Sequence, residues 1–347
     1  MRVIAVIVIC VLVTGLGFYL YSGKSDRPAS GPAATPRVAA TPSTADPRPS
    51  DSAPSSSSPS SSGRSSDPTP STERHTSNHT PIGGEISRGD YPTYASTGPQ
   101  TEPVASSGTI TTTRDGQIIE NVTVNGRINV RHDDVVIRNV VVMGTETYAI
   151  DIGRGIDPCP TSTLIEFTEV NMMNAPTGKD IPIYDRCSGG TTLDHVRVLN
   201  TLHGVRTAGN FTMRDSWIFN NRTLPGAHRS ALSTHGGDNF RVTHNTFICE
   251  LSGCSSAVNM YSDYGAVTDY LFKDNLLAGG GYCLRGGETH RYRSSTQDIR
   301  IINNRFSTRY HPECGQFQAI GQFDSNGPGN AREGNVFYES GVPVPGG

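Results

Sequence analysis

Lysine is almost missing from this 347-residue chain, which has only Lys24, Lys179 and Lys273, and Trp217 is its single tryptophan. The formal net charge is −3 at pH 7. A chain so close to neutral carries no basic footprint for nucleic acid, which is therefore not an expected partner. No CxxC pair stands beside a histidine run, so a structural zinc site is not expected. No compact acidic cluster offers the oxygen cage that calcium needs. Past residue 106 no apolar pattern repeats at the helical period, which excludes a helix bundle.

One long apolar run is present. Residues 3–21, VIAVIVICVLVTGLGFYLY, carry no charge. As a helix they would span roughly 28 Å, close to a bilayer core. Residues 1–23 are read as a membrane anchor or a signal peptide. The length of the run and the lack of a small-x-small cleavage site favour the anchor. Residues 24–105, typified by PSDSAPSSSSPSSSGRSSDPTPST, bury too little apolar surface to offset ordering entropy and are expected to be a disordered tether. The expected location is extracellular, at the cell surface or secreted, and a monomer is expected.

Residues 106–347 are rich in Val, Ile, Asn, Gly and Thr and suffice for one core. They contain Cys159, Cys187, Cys249, Cys254, Cys283 and Cys314. An even number in an exported domain suggests disulfides, and six cysteines allow about 15 pairings. Two short segments repeat along this stretch. The first appears as VVIRNVVV, TLDHVRV, FTMRDSWIF, FRVTHNTFI, YLFKDNLLA and IRIINNRFS. It carries Asn139, His195, Asp215, Asn245, Asn275 and Asn304 at what reads as one position. Stacked on successive turns, these residues would form a side-chain ladder. His244 would face outward beside it.

The second series is YAIDIG, IPIYDR, HGVRTAG, SALSTHGG, SAVNMYS, YCLRGG and QAIGQF. Each member centres on one aliphatic residue, from Ile150, Ile183 and Val205 to Leu232, Val258, Leu284 and Ile320, with small or polar neighbours. That is strand alternation. Two strand series repeating in step imply an all-β solenoid, a parallel β-helix. The stretches HRSALSTHGGDNFRVTHNTF, DYLFKDNLLAGGGYCLRGG and DIRIINNRFSTRY resemble exported right-handed parallel β-helix proteins of the pectate-lyase-like superfamily, over roughly residues 108–342. The resemblance implies the right-handed coil, a polysaccharide substrate and a choice among lyase, hydrolase and non-catalytic adhesin. It also allows calcium, although no resident cofactor is expected. Many relatives have His-x-Asp-Gly-Ile-Gln where this chain has His228-Arg229-Ser230-Ala231-Leu232-Ser233, so chemistry that needs that carboxylate is in doubt. On a coil, the nearest pairings are expected: Cys159–Cys187, Cys249–Cys254 and Cys283–Cys314.

If the central aliphatic residue points inward, the next residue points outward. The outward row then reads Asp151, Tyr184, Arg206, Ser233, Asn259, Arg285 and Gly321. Two residues further on, Arg186, His235 and Tyr261 share that face. Gly204, Ala231 and Ala257 would leave its floor open, and His290 and Arg291 fall in a longer loop beside it. Such an Arg/His/Tyr groove suits a polyanion. β-Elimination of a uronate polymer needs a cation on the carboxylate, a base for the adjacent proton and an acid for the leaving oxygen. Arg206 and Arg285 are the expected cations, His235 the base and Tyr261 the acid or shared base. Tyr184, Arg186, Asn259, Asp151 and His228 are the expected substrate contacts. A hydrolase would instead need a carboxylate pair about 5–9 Å apart, drawn from Asp151, Asp185, Asp238 or Asp263. A register slip of one residue would turn this whole row inward.

Overall fold

A computed structural model describes residues 90–176, 178, 180–287 and 296–346, with His235 described as a backbone position only. The expected anchor and most of the tether lie outside these residues. Among the described residues there is no helix, and so none long and apolar enough to cross a membrane. The chain coils through three parallel sheets of ten, nine and nine strands. Each turn of the coil adds one short strand to each sheet. The first sheet runs from Ala105–Ser107 to Val336–Phe337, the second from Ile110–Thr111 to Gln318–Gly321, and the third from Ile118–Glu120 to Ala331–Glu333. This is a parallel β-helix, consistent with the right-handed coil expected.

The coil exists because each face contributes an aliphatic residue at the same place on every turn. On the second sheet Ile128, Ile150, Ile183, Val205, Leu232, Val258, Leu284 and Ile320 pair in one row and are all buried. Burying each contributes roughly 1.5–3 kcal/mol. On the first sheet the inward row runs Val124, Val142, Val170, Val198, Ile218, Phe247, Leu277, Phe306. Side chains thus grow along the axis, and the C-terminal half is filled with rings, Phe240 stacking on Tyr270 at 4.6 Å. The three disulfides join Cys159 to Cys187, Cys249 to Cys254 and Cys283 to Cys314, the pairing expected. They suit an oxidising, extracellular compartment.

The asparagine ladder is real and holds Asn245, Asn275 and Asn304 as expected, but the other three expected members lie outside it. It consists of Asn245, Asn275, Asn304 and Asn335. Asn275 Oδ1 accepts from the Asn245 backbone N–H at 2.9 Å, and Asn304 and Asn335 repeat the contact one turn on. Asn139, His195 and Asp215 are not in it. They sit one residue earlier in the turn, at a left-handed position with φ of 52°, 53° and 51°, where His244, Asp274 and Asn303 also fall. The ladder row at those turns holds Val140, Val196 and Ser216. Asn, Asp and His tolerate left-handed backbone, so the two adjacent positions look alike in sequence.

The packed chain also begins before residue 106. Residues 90–101, assigned to the tether from composition, lie along the first sheet as a strap. Gly98 N–H donates to the His195 carbonyl at 2.8 Å, and Asn139 Oδ1 accepts from Gln100 N–H at 2.8 Å. Arg197 donates to the carbonyls of Tyr94 and Thr97 and lies 4.1 Å from the Tyr94 ring centre. Tyr91 and Tyr94 pack on an outer apolar cluster that includes Trp217, Phe219 and Ile248. At its N-terminal end the strap is held by His244, whose Nδ1 meets Asp215 Oδ1 at 2.6 Å and whose Nε2 meets the Asp90 carbonyl at 2.8 Å. Both partners are acceptors, so only the doubly protonated ring donates to both. Burial pulls the His244 pKa down, but the Asp215 and Asp90 contacts and the Asp274 charge outweigh it and raise the value above 6.5. A raised folded-state pKa means that this contact is complete below about 6.5 and lost as pH climbs through the raised value. Amide exchange at Gly98, corrected for its intrinsic rate, should therefore speed up above that value. The His244→Ala protein should exchange fast at every pH. A flat corrected profile in the unmodified protein would rule out the latch.

Candidate functional site

The outward row of the second sheet has the expected register. Tyr184 pairs with Asp151 and Arg206, Arg206 with Ser233, Ser233 with Asn259, and Asn259 with Arg285. The sheet also pairs His235 with Tyr261. Facing outward does not mean open, however. Asp151 is only 1% exposed and is taken up by Arg131 at 2.9 Å, with Arg154 at 3.8 Å. Asn259 is 3% exposed, its amide closed by the Ser230 and Ser256 hydroxyls. Neither is placed to meet a ligand. Ala231 and Ala257 are fully buried, and a side chain at Gly204 would strike the Ala231 carbonyl. The floor expected to be open is closed by backbone. His228 is exposed and meets Ser255 Oγ at 3.3 Å, but does not line the pocket.

The opening lies at the other end of the strands. A pocket of about 650 Å³ is lined by Tyr184, Asp185, Arg186, Arg206, Thr207 and Ala208 from neighbouring turns, and by Gly236, Gly237, Tyr264 and Gly265 from the loops beyond. Glycines serve here for a physical reason. Gly237 has φ of 109° and a Cβ on it would strike the Ala208 carbonyl. The side chain of His235 and the residues His290 and Arg291 lie outside the described residues.

Several arginines of the other two sheets are paired with acids: Arg138 with Glu166, Arg197 with Glu169, Arg214 with Asp194, and Arg241 and Arg300 with Asp269. Arg186, Arg206 and Arg285 have no carboxylate partner among the described residues. The Nε of Arg206 and of Arg285 is buried without any acceptor. Arg285 donates from Nη1 to the Tyr261 hydroxyl and stands over the Tyr261 and Tyr282 rings, 5.4 and 5.0 Å from their centres. Burial pushes the Tyr261 phenol above its ordinary pKa, with the Arg285 charge opposing it. Tyr261 is thus a neutral phenol at ordinary pH, which keeps its proton more firmly than a free tyrosine.

Two further groups escaped the outward-row reading. Burial and the Arg206 charge push the His203 imidazole down to about 4, so it stays neutral. It lies two residues before Val205, where alternation alone would point it into the core. Burial pushes the Asp185 carboxyl up to about 6, against hydrogen bonds from Cys187 N–H, Thr191 and Thr207. Asp185 is the one carboxylic acid among the described residues lining the pocket. Asp194, His195 and Asp215 lie close enough to share a cation. Both Asp194 oxygens are engaged by Arg214 and His195, and Asp215 Oδ1 by His244.

Together these features define a disulfide-stapled parallel β-helix with an arginine–tyrosine pocket on its second sheet, a form compatible with an exported carbohydrate-active protein. Comparison with protein-family models, with curated proteins and with solved structures returns no match.

Proposed function

We propose that the protein is an exported polysaccharide lyase of the right-handed, pectate-lyase-like kind, acting on a uronate-containing glycan by β-elimination. It would be held at the cell surface by its N-terminal segment or released. The observation that carries this reading is the set of carboxylate-free arginines on one sheet face, two of which, Arg186 and Arg206, line the pocket. Arg186 is exposed and Arg206 half-buried, and a guanidinium that no acid engages is free to take a carboxylate in two-pronged geometry. The uronate carboxylate would take that place and spread its charge onto Arg206 as the adjacent C–H proton leaves. The base is assigned to His235, from its place beside Tyr261 in the strand register. The electron pair of the broken C–H bond forms the double bond, the C–O bond to the next sugar breaks, and the leaving oxygen takes its proton from the Tyr261 phenol.

A second reading, glycan binding without cleavage, is favoured by Tyr264 and Phe317, which are 78% and 62% exposed. The protein should be incubated with acidic and neutral polysaccharides while unsaturated-uronate absorbance and reducing ends are followed together. The lyase reading expects both to rise on an acidic glycan. Reducing ends without absorbance would replace it with a hydrolase, and binding with neither signal would leave the second reading.

A further inference from the structure

Three loops that lead from the first sheet into the second, residues 172–180, 221–231 and 250–255, are fastened to one another by arginines. Arg222 donates from Nη1 to the Met172 carbonyl at 2.7 Å and so ties the second loop to the first. Arg229, fully buried, donates from Nη1 to the Arg222 carbonyl and from Nη2 to that of Ser252 at 3.2 Å, which joins the second loop to the third. Thr223 Oγ1 donates to the same Ser252 carbonyl at 2.7 Å, and Cys249–Cys254 closes the third loop. The tips held in this way are apolar and open to solvent. Met173 is 61% exposed, and Leu224 and Leu251 are each 38% exposed. A Cβ at Gly178 would lie 2.9 Å from Leu224 Cδ2, so the first loop runs against the Leu224 tip. A single exposed apolar side chain needs no explanation, but three on loops ordered at an entropic cost do.

Acid is missing from these tips. The segments MMNAPTGK (172–179), NRTLPGAH (221–228) and LSGC (251–254) contain no Asp or Glu, but they do contain Lys179, Arg222 and His228. The two carboxylates that border them are withdrawn: Asp180 is fully buried, and Glu250 accepts from the Tyr310 hydroxyl at 3.0 Å. We infer that this corner of the coil is a docking surface for an anionic lipid bilayer, with Met173, Leu224 and Leu251 entering the boundary between headgroups and acyl chains. Three tips among small residues fall short of the about 800 Å² per partner that a stable protein interface needs. A bilayer asks only for apolar tips, a rigid support and no nearby anion. The same chain carries at residues 3–21 an uncharged apolar run expected to lie in a bilayer, which keeps the domain within reach of one. A weak contact becomes effective once a second attachment holds it close. Docking at this corner would fix the direction in which the second sheet faces, whatever ligand that sheet takes.

The full-length protein, N-terminal segment included, should be combined with vesicles of phosphatidylcholine and phosphatidylglycerol, with and without bromine on the acyl chains. The vesicle-bound fraction is recovered by flotation, and its tryptophan fluorescence is read. Bromine quenches only rings that reach the acyl region, so the buried Trp217 serves as an unquenched reference. The variants Leu224→Trp and Leu251→Trp should each be quenched. Ile118→Trp, at an exposed position on the third sheet, should not be. Adding Leu251→Asp to Leu224→Trp should lower the ratio of docked to undocked protein about tenfold, and vesicles of phosphatidylcholine alone should lower it as well. Two tip positions keep the test sound if one variant fails to fold. Quenching at neither tip would overturn the inference and turn the platform toward a protein partner. Equal quenching at the tips and at Ile118→Trp would also overturn it, as would undiminished quenching when Leu251→Asp is added. Protein that does not float with the vesicles would end it outright.

Discussion

Replacing Arg206 by alanine is expected to lower kcat/KM on a uronate polymer by about 10²–10³-fold, the usual loss when a donor to developing negative charge is removed. The same change should leave the protein as stable as before, or more so. Arg206 has no carboxylate partner among the described residues, and its Nε is buried without an acceptor. Its removal therefore breaks no ion pair and takes away a buried N–H that has no acceptor. Arg206→Lys keeps the charge but loses the two-pronged geometry, and should recover only part of the rate. Chemical denaturation and initial rates, measured on the same preparations, separate the two effects. A variant that loses activity and stability together would show that Arg206 holds the sheet and not the substrate.

The largest stability effect is expected at Arg229, in the His228–Ser233 stretch. Arg229 is fully buried and meets no acid. Its Nη1 donates to the carbonyls of Asn220 and Arg222, and its Nη2 to those of Leu251 and Ser252. Burial lowers its pKa to about 10, with Glu250 opposing, so it remains a cation at neutral pH. It ties the loop after Trp217–Asn220 to the loop closed by Cys249–Cys254. Arg229→Met would strand these carbonyls in the interior, for a loss of about 3–5 kcal/mol. In a domain of this size that should lower Tm by about 10 °C. Calorimetry of the variant decides the matter: a Tm within a degree or two of the parent would mean that water replaces the guanidinium without cost.

Much of the site was legible because strand alternation and coil repetition are local rules. The row from Tyr184 through Arg206 to Arg285 followed from one inward aliphatic per turn, and its neighbours are paired as that rule requires. The failures have equally definite causes. Asp151 faces outward but is consumed by Arg131, twenty residues away in sequence and one turn away in space. Asn259 is closed off by serines of its own and the preceding turn. Asn139, His195 and Asp215 were misread into the ladder because residues of the same kinds stand at both the left-handed and the ladder positions, as in His244–Asn245 and Asp274–Asn275. The strap looked like tether because only Tyr91 and Tyr94 distinguish it, and their partners lie more than a hundred residues onward.

By itself the sequence determined the all-β coil and its inward rows. Each of these depends on residues at a fixed spacing, and a periodic chain states its spacing openly. The tertiary structure alone decided which outward residues stay open, which end of the strands carries the pocket, and which arginines are left without an acid. Those outcomes depend on loops closing over the sheet and on charges meeting across turns, and no period in the chain records them.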